Sequence, residues 1–176
     1  MKLKSTGLKW LRFLHLISAG IWFGGAVCVG GLAVFCFLSG DPQTLSAGAP
    51  FIPKLFANLI SYMAIFTLIQ GFIYGFFTNW GFFKYRWLLL KWILVVAIIP
   101  FTATSIMQTG AAIRHANQGM FENAFASGES VLLLIACQIV ILLVIMFLSV
   151  FKPGRKNHSD KQKLYNAIAE GPKPTE

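Results

Sequence analysis

One histidine, His15, lies inside an otherwise apolar run of the chain, LRFLHLISAGIWFGG. A neutral imidazole can coordinate a metal ion, and it can also exchange a proton near neutral pH. Ionisable side chains inside apolar membrane segments are costly, and they usually mark a functional site. His15 is therefore the first candidate for a functional residue.

A lysine, Lys91, holds a comparable position in the later run RWLLLKWILV. Helix geometry puts His15 and Lys91 at a similar depth, each about 8–10 Å from the same helix end. At helical spacing the stripe that begins at Lys91 continues through Val95, Ile98, Thr102, Ser105 and Thr109. Because a lipid-facing stripe rarely collects three hydroxyls, we expect this face to point into a bundle. The ammonium group then needs an anionic partner, unless it reaches the headgroups instead.

The composition indicates which elements position these residues. The chain has 176 residues, of which 56% are hydrophobic and 12% are charged, whereas soluble domains carry about 25% charged residues. Four apolar runs are long enough to cross a membrane core about 30 Å thick, and they lie at about 8–38, 53–78, 86–109 and 129–151. We expect an all-α polytopic membrane protein with a four-helix transmembrane domain over 1–151 and a basic cytoplasmic tail over 152–176. The segment 39–53 and the polar segment 110–128 are expected as loops, the second with a short surface helix.

The net charge of +9 is distributed unevenly along the chain. With these spans, only Lys54 and Arg114 lie on one side of the membrane, and all the other lysines and arginines lie on the side of the termini. This asymmetry predicts that both termini are cytoplasmic. Since topology and anionic lipid account for the basic excess, we expect no nucleic-acid partner.

The first span has two different faces. At helical spacing from His15 the stripe contains Ser18, Ala19, Trp22, Ala26 and Ala33, and the opposite stripe contains Gly20, Gly24 and Gly31. Gly20 and Gly24 form a GxxxG pattern, which allows helix backbones to approach closely. We therefore expect the span to pack through its glycine face. The other face would present His15 beside small side chains, where a flat ligand has room.

The remaining polar residues indicate packing. Gln70, Gln108 and Gln138 lie inside or near the spans, and we expect them to form hydrogen bonds between helices. The sequence has no HExxH motif, no phosphate-binding glycine loop and no paired carboxylates within a span. These observations disfavour a hydrolase, a nucleotide-dependent enzyme and a transporter with a carboxylate relay.

The stretches WLRFLHLISAGIWFGG and RWLLLKWILV resemble a group of small bacterial membrane proteins. One branch of this group is the four-helix, haem-binding protoporphyrinogen oxidases, and another is the copper-resistance membrane proteins of the CopD kind. In the oxidase branch the histidine of the first helix is associated with haem, and a lysine opens a later helix. By position, the resemblance implies these roles for His15 and Lys91, and it implies a bacterial inner-membrane location.

Haem b suits the residues around His15. The imidazole would be the axial ligand of the iron, and the porphyrin edge would lie against Ala19 and Trp22. Lys91 or Arg12 would pair with the haem propionates, which supplies the missing anion. The sequence thus predicts an inner-membrane haem b protein in electron transfer or tetrapyrrole oxidation. Whether it is an oxidoreductase of the protoporphyrinogen oxidase type stays open.

Two other functions stay open as well. A copper or metal permease of the CopD type would bind its metal at His15, with Met63 or Met107 along the path. A cofactor-free accessory subunit would instead pack on larger membrane partners. A porphyrin or quinone would reach the protein from the lipid bilayer between helices, and a homodimer is compatible with the glycine patterns. In the outer loop, His115 could form a second site with Glu122 or Glu129.

Overall fold

The computed structural model describes residues 5–77 and 86–151. Within these ranges the chain is helical apart from short connections, so the all-α prediction is confirmed. The helices are α1 (Ser5–Leu38), α2 (Pro42–Gly48), α3 (Phe51–Leu55), a π-helical turn (Phe56–Ile60), α4 (Ser61–Phe77), α5 (Arg86–Asn117) and α6 (Phe121–Phe151). The predicted tail over 152–176 lies outside the described residues.

Four segments are long and apolar enough to cross a membrane: Thr6–Leu38, Pro42–Phe77, Arg86–Asn117 and Phe121–Phe151. Their outward surface is covered with large apolar side chains, among them Leu16, Phe35, Phe76 and Val150. A soluble monomer rarely exposes so continuous an apolar surface, because its contact with water is unfavourable. The arrangement is that of a multi-pass membrane protein.

The long helices are antiparallel neighbours. α1 packs between α4 and α6, and α5 packs along α6. α4 and α5 approach each other much less closely. The gap between them, which we call the α4–α5 seam, is spanned by the rings of Phe72 and Trp92, whose centroids are 4.8 Å apart. We call the end of the bundle where α1 begins and α6 finishes the terminal end, and the opposite end the far end.

Both predicted loops at the far end contain helix. α2 begins after Asp41, whose carboxylate accepts hydrogen bonds from the Thr44 amide at 2.8 Å and the Thr44 hydroxyl at 2.6 Å. α2 buries Leu45 against the bundle. α5 continues to Asn117, and only residues 118–120 separate it from α6. The predicted loop over 110–128 is therefore wrong, because its polar residues lie on the exposed side of two helices whose small residues are buried: Ala112, Ala116, Ala124 and Gly128.

α1 faces the bundle with the side opposite to the one predicted. Ser18, Trp22, Ala26, Val29 and Ala33 are buried. A methyl group added at Gly20, Gly24 or Gly31 would meet no other part of the described chain within 4 Å. The prediction of packing through these glycines is wrong. The buried stripe combines small alanines, which allow close approach, with one large indole that fills the interior, whereas the glycine stripe has no side chains to interdigitate.

Candidate functional site

The first part of the site joins α1 to α4 near the terminal end. The imidazole of His15 is half-buried and meets the Tyr74 ring edge-to-face, with centroids 6.1 Å apart. One turn further along α1, the Ser18 hydroxyl lies 2.9 Å from Gln70 Oε1 and 3.1 Å from the His15 carbonyl oxygen, so it can donate to either. These contacts hold the two helices in register at the level of the histidine.

The second part of the site joins α5 to α6. The Lys91 ammonium donates to the Ser149 hydroxyl at 2.8 Å, and it lies 5.7 Å from the centre of the Trp87 ring. Ser149 in turn donates to the Ile145 carbonyl one turn earlier, at 2.7 Å. Lys91 is thus turned toward a neighbouring helix, where its partners include a neutral hydroxyl and an aromatic face.

The two parts of the site lie within electrostatic range of each other. The charge of Lys91 acts electrostatically on the His15 imidazole, and the Gln70 side chain also interacts with that ring. Arg12 is exposed one turn before His15, and its guanidinium interacts with the Tyr74 hydroxyl. The structure therefore places His15, Lys91 and Arg12 at one end of the bundle, as their matching depth in the sequence predicts.

The two residues expected to flank a porphyrin have different environments. Ala19 is half-buried on α1. Trp22 is only 6% exposed and belongs to the central core. Since Trp22 follows Ala19 by three residues, it lies about 4.5 Å further from the terminal end. Its ring is therefore part of the packed interior.

Charge is strongly segregated along the bundle. Within residues 5–77 and 86–151 the only carboxylates are Asp41, Glu122 and Glu129, and all three lie at the far end. The end that holds His15 carries the cations Arg12 and Lys91 without a carboxylate from the described chain. Such an arrangement favours an anionic ligand, because cations in a membrane-spanning bundle are stabilised by opposite charge.

Several buried polar atoms of the interior have no hydrogen-bond partner among the described residues: His15 Nδ1, Trp22 Nε1, Thr67 Oγ1, Gln70 Nε2 and Gln138 Oε1. Buried polar groups are nearly always hydrogen-bonded in folded proteins. The atoms on α1 and α4 therefore identify a place where a ligand or water completes the structure, whereas Gln138 lies deeper, beside Thr102 of α5.

Sequence reasoning missed Thr67, Tyr74 and Ser149 as parts of this interior. Thr67, Gln70 and Tyr74 recur at the i, i+3 and i+7 spacing of one helix face, and this signal could have identified the α4 contribution. Ser149 lies near the end of an apolar run and has no comparable pattern around it.

The predicted inward stripe of α5 is confirmed toward the middle of the bundle. Ile98, Ser105 and Thr109 are buried. Gln138 of α6 donates to the Thr102 hydroxyl at 2.6 Å, and this is the interhelical hydrogen bond expected of Gln138. The contact joins α5 to α6 about three helical turns further from the terminal end than the Lys91–Ser149 pair.

The other residues considered for metal transport or binding lie away from His15. Met63 is half-buried near the start of α4, and Met107 is exposed on α5. His115 lies in the last turn of α5, at the far end. Within the described part of the chain, no three His, Cys, Asp or Glu side chains are grouped so that they could hold a metal ion.

Comparisons of the chain with family models, with curated proteins and with solved structures give no match. The interpretation of the site therefore depends on the geometry of His15, Lys91 and their neighbours.

Proposed function

We propose that this chain is a haem b-binding protein of the bacterial inner membrane that acts in electron transfer or tetrapyrrole oxidation, with both termini cytoplasmic. The observation that carries the proposal is the half-buried imidazole of His15, whose Nδ1 has no hydrogen-bond partner in the described chain, beside the inward-turned cation of Lys91. The one-sided distribution of lysine and arginine supports the topology.

The residues present fit a haem group. An imidazole nitrogen is a common axial ligand of haem iron. A ligating histidine usually has its second ring nitrogen oriented by a polar neighbour, and Gln70 interacts with the His15 ring. Lys91 and Arg12 would pair with the two propionates, while Ala19 leaves room beside the ligand and Trp22 closes the inner end. When bound, haem b supplies a one-electron redox centre.

The presence of two cations, Arg12 and Lys91, at this end of the described chain gives further support. Two cations near the histidine would each gain a charge-assisted hydrogen bond from a propionate, and such bonds are stronger than those between neutral groups. In this account Lys91 keeps its contact with Ser149 as the support that directs the ammonium group inward.

Titration of the haem-free protein with hemin in lipid nanodiscs tests the proposal. We expect saturable binding of one hemin per chain, seen as a Soret band, and its loss in His15→Ala. The matched control His115→Ala replaces the far-end histidine and should bind hemin like the wild type. Lys91→Met and Arg12→Gln should each weaken binding by about ten-fold, as expected for the loss of a hydrogen bond to a charged group.

Equal hemin binding by wild type and His15→Ala would contradict the proposal, and so would the absence of saturable binding. A wild-type protein that binds no hemin but binds one copper ion through His15 would favour the metal permease. A protein that binds neither would favour the accessory subunit.

A further inference from the structure

Three of the unpartnered side chains form a second group on α1 and α4: Trp22, Thr67 and Gln70. They are 6%, 8% and 2% exposed, so all three are more than nine-tenths buried. The indole Nε1, the threonine hydroxyl and the amide Nε2 have no hydrogen-bond partner among the described residues. The proposed haem site assigns no ligand atom to these three donors, although the Gln70 side chain also interacts with the His15 ring.

The register of α1 and α4 brings the three side chains to one place. The hydrogen bond between Ser18 and Gln70 fixes the pairing of the two helices. Trp22 follows Ser18 by four residues, and Thr67 precedes Gln70 by three, so in antiparallel helices Trp22 and Thr67 are both one turn further from the terminal end. The pairing persists beyond them, since a Cβ added at Gly25 would be 3.3 Å from the Ile60 side chain.

This group contains more hydrogen-bond donors than acceptors. An indole N–H and an amide nitrogen can only donate hydrogen bonds, and of the three atoms only the Thr67 hydroxyl can also accept. The amide oxygen of Gln70 is occupied by the Ser18 hydroxyl. The acceptors left for the protons of a water molecule are the Thr67 hydroxyl and the second lone pair of the Gln70 amide oxygen, so the group offers more donors than acceptors. The group therefore fits the acceptor oxygens of a ligand without protons to donate.

The route to these donors favours a flat, lipid-soluble ligand. α4 and α5 have few close contacts along the α4–α5 seam, and the rings of Phe72 and Trp92 lie across it. Gly71 leaves only a hydrogen atom beneath the Trp92 ring, where an added Cβ would be 3.9 Å from the indole. Aromatic side chains of this kind stack on planar rings.

We propose that Trp22, Thr67 and Gln70 form a binding site for the carbonyl oxygen of a lipid-soluble quinone, which reaches them through the α4–α5 seam. The indole and the amide donate to the carbonyl, and Thr67 donates to it or to a neighbouring oxygen on the ring. The site lies about one to two helical turns beyond the level of His15 and requires no bound haem.

Ubiquinone-2 is a suitable probe because its short tail keeps it soluble in detergent. Isothermal titration of the haem-free protein should give one saturable site. Trp22→Phe and Thr67→Val each remove one donor while keeping the shape, and Gln70→Leu removes the amide. Each should weaken binding by about ten-fold. Gln138→Leu is the matched control, because it removes a buried amide of α6 that lies deeper in the bundle, and it should bind like the wild type.

Infrared spectra of ubiquinone-2 labelled with ¹³C at one carbonyl give an independent result. Binding should lower the carbonyl stretching frequency, and Thr67→Val or Trp22→Phe should move it back toward the free value. Unsaturable binding, equal affinities in all variants, or an unshifted carbonyl band would overturn the proposal and leave ordered water as the occupant. Because the titration uses haem-free protein, a failure of hemin binding does not affect it, and the reverse also holds.

Discussion

Replacing Gly128 by alanine tests which face of α1 packs into the bundle. Gly128 of α6 is buried against Phe37, the large side chain near the end of α1. A Cβ at this position would lie 2.9 Å from the Phe37 Cβ and would overlap atoms of its ring. Phe37 is itself only 5% exposed, and its Cβ is fixed to the backbone. Turning the ring therefore cannot relieve the overlap with Cβ, and the helices must separate.

The expected magnitude combines two opposing effects. Overpacking of a core costs about 1–3 kcal/mol, and alanine recovers up to about 1 kcal/mol over glycine through its helix propensity. We expect Gly128→Ala to lower the free energy of unfolding by about 1–2 kcal/mol, which corresponds to a fall in Tm of about 2–8 °C for a chain of this size.

Gly24→Ala is the matched control. Because a methyl group there would meet no other part of the described chain within 4 Å, we expect an unchanged or slightly higher Tm. Circular dichroism at 222 nm, recorded during heating in one detergent, would measure all three proteins. A Tm for Gly128→Ala at or above that of the wild type would refute the packing described for α1 and α6. An equal loss in Gly24→Ala would restore the glycine face as the packed face.

Two further predictions concern single polar contacts. The hydrogen bond from Lys91 to Ser149 predicts that Ser149→Ala lowers the free energy of unfolding by about 1 kcal/mol in the wild type, and that it has little further effect in Lys91→Met; equal effects in both backgrounds of this double-mutant cycle would argue against the bond. At the start of α2, hydrogen bonds from the Thr44 hydroxyl and amide lower the pKa of Asp41. Because the folded pKa is below the unfolded one, this stabilisation is present at neutral pH and is lost as the pH falls through the depressed pKa. Hydrogen exchange of the α2 amides, corrected for intrinsic rates, should therefore accelerate on acidification, and Asp41→Asn, which keeps a capping oxygen but does not titrate, should remove this dependence; identical pH profiles would contradict it.

The sequence alone predicted the number of long helices and the face of α5 that points into the bundle. Apolar runs of membrane length identify spans directly, and the hydroxyls of Thr102, Ser105 and Thr109 identify the buried stripe. Boundaries were harder to predict. The polar residues over 110–128 indicate exposure to water. An exposed segment can still be helical when its other face carries small buried residues such as Ala112 and Ala124.

The packed face of α1 could not be predicted from the glycine pattern. In a membrane the apolar faces of a helix differ little in transfer free energy, so detailed packing decides which face is buried. The close approaches of α1 depend on other glycines: a Cβ at Gly25 would be 3.3 Å from Ile60, and one at Gly30 would be 3.1 Å from Ile139. GxxxG spacing alone did not distinguish these positions from Gly20 and Gly24.

The part of the candidate site that could be predicted is the pair His15 and Lys91, which lie at a similar distance from the same end of their helices. His15 and Lys91 are conspicuous because ionisable groups are uncommon in apolar runs. Their supporting residues are less conspicuous, since serine, threonine and tyrosine occur widely in membrane helices. The role of Ser149 as the acceptor for Lys91 depends on the pairing of α5 with α6, and that pairing is a property of the fold.

The optical spectrum of the protein as isolated from haem-replete membranes tests the central claim most directly. Wild type and His115→Ala should both show a Soret band and the sharpened bands of a reduced b-type haem after dithionite is added, and His15→Ala should show neither. A colourless wild type, or an unchanged spectrum in His15→Ala, would contradict the assignment of His15 as a haem ligand.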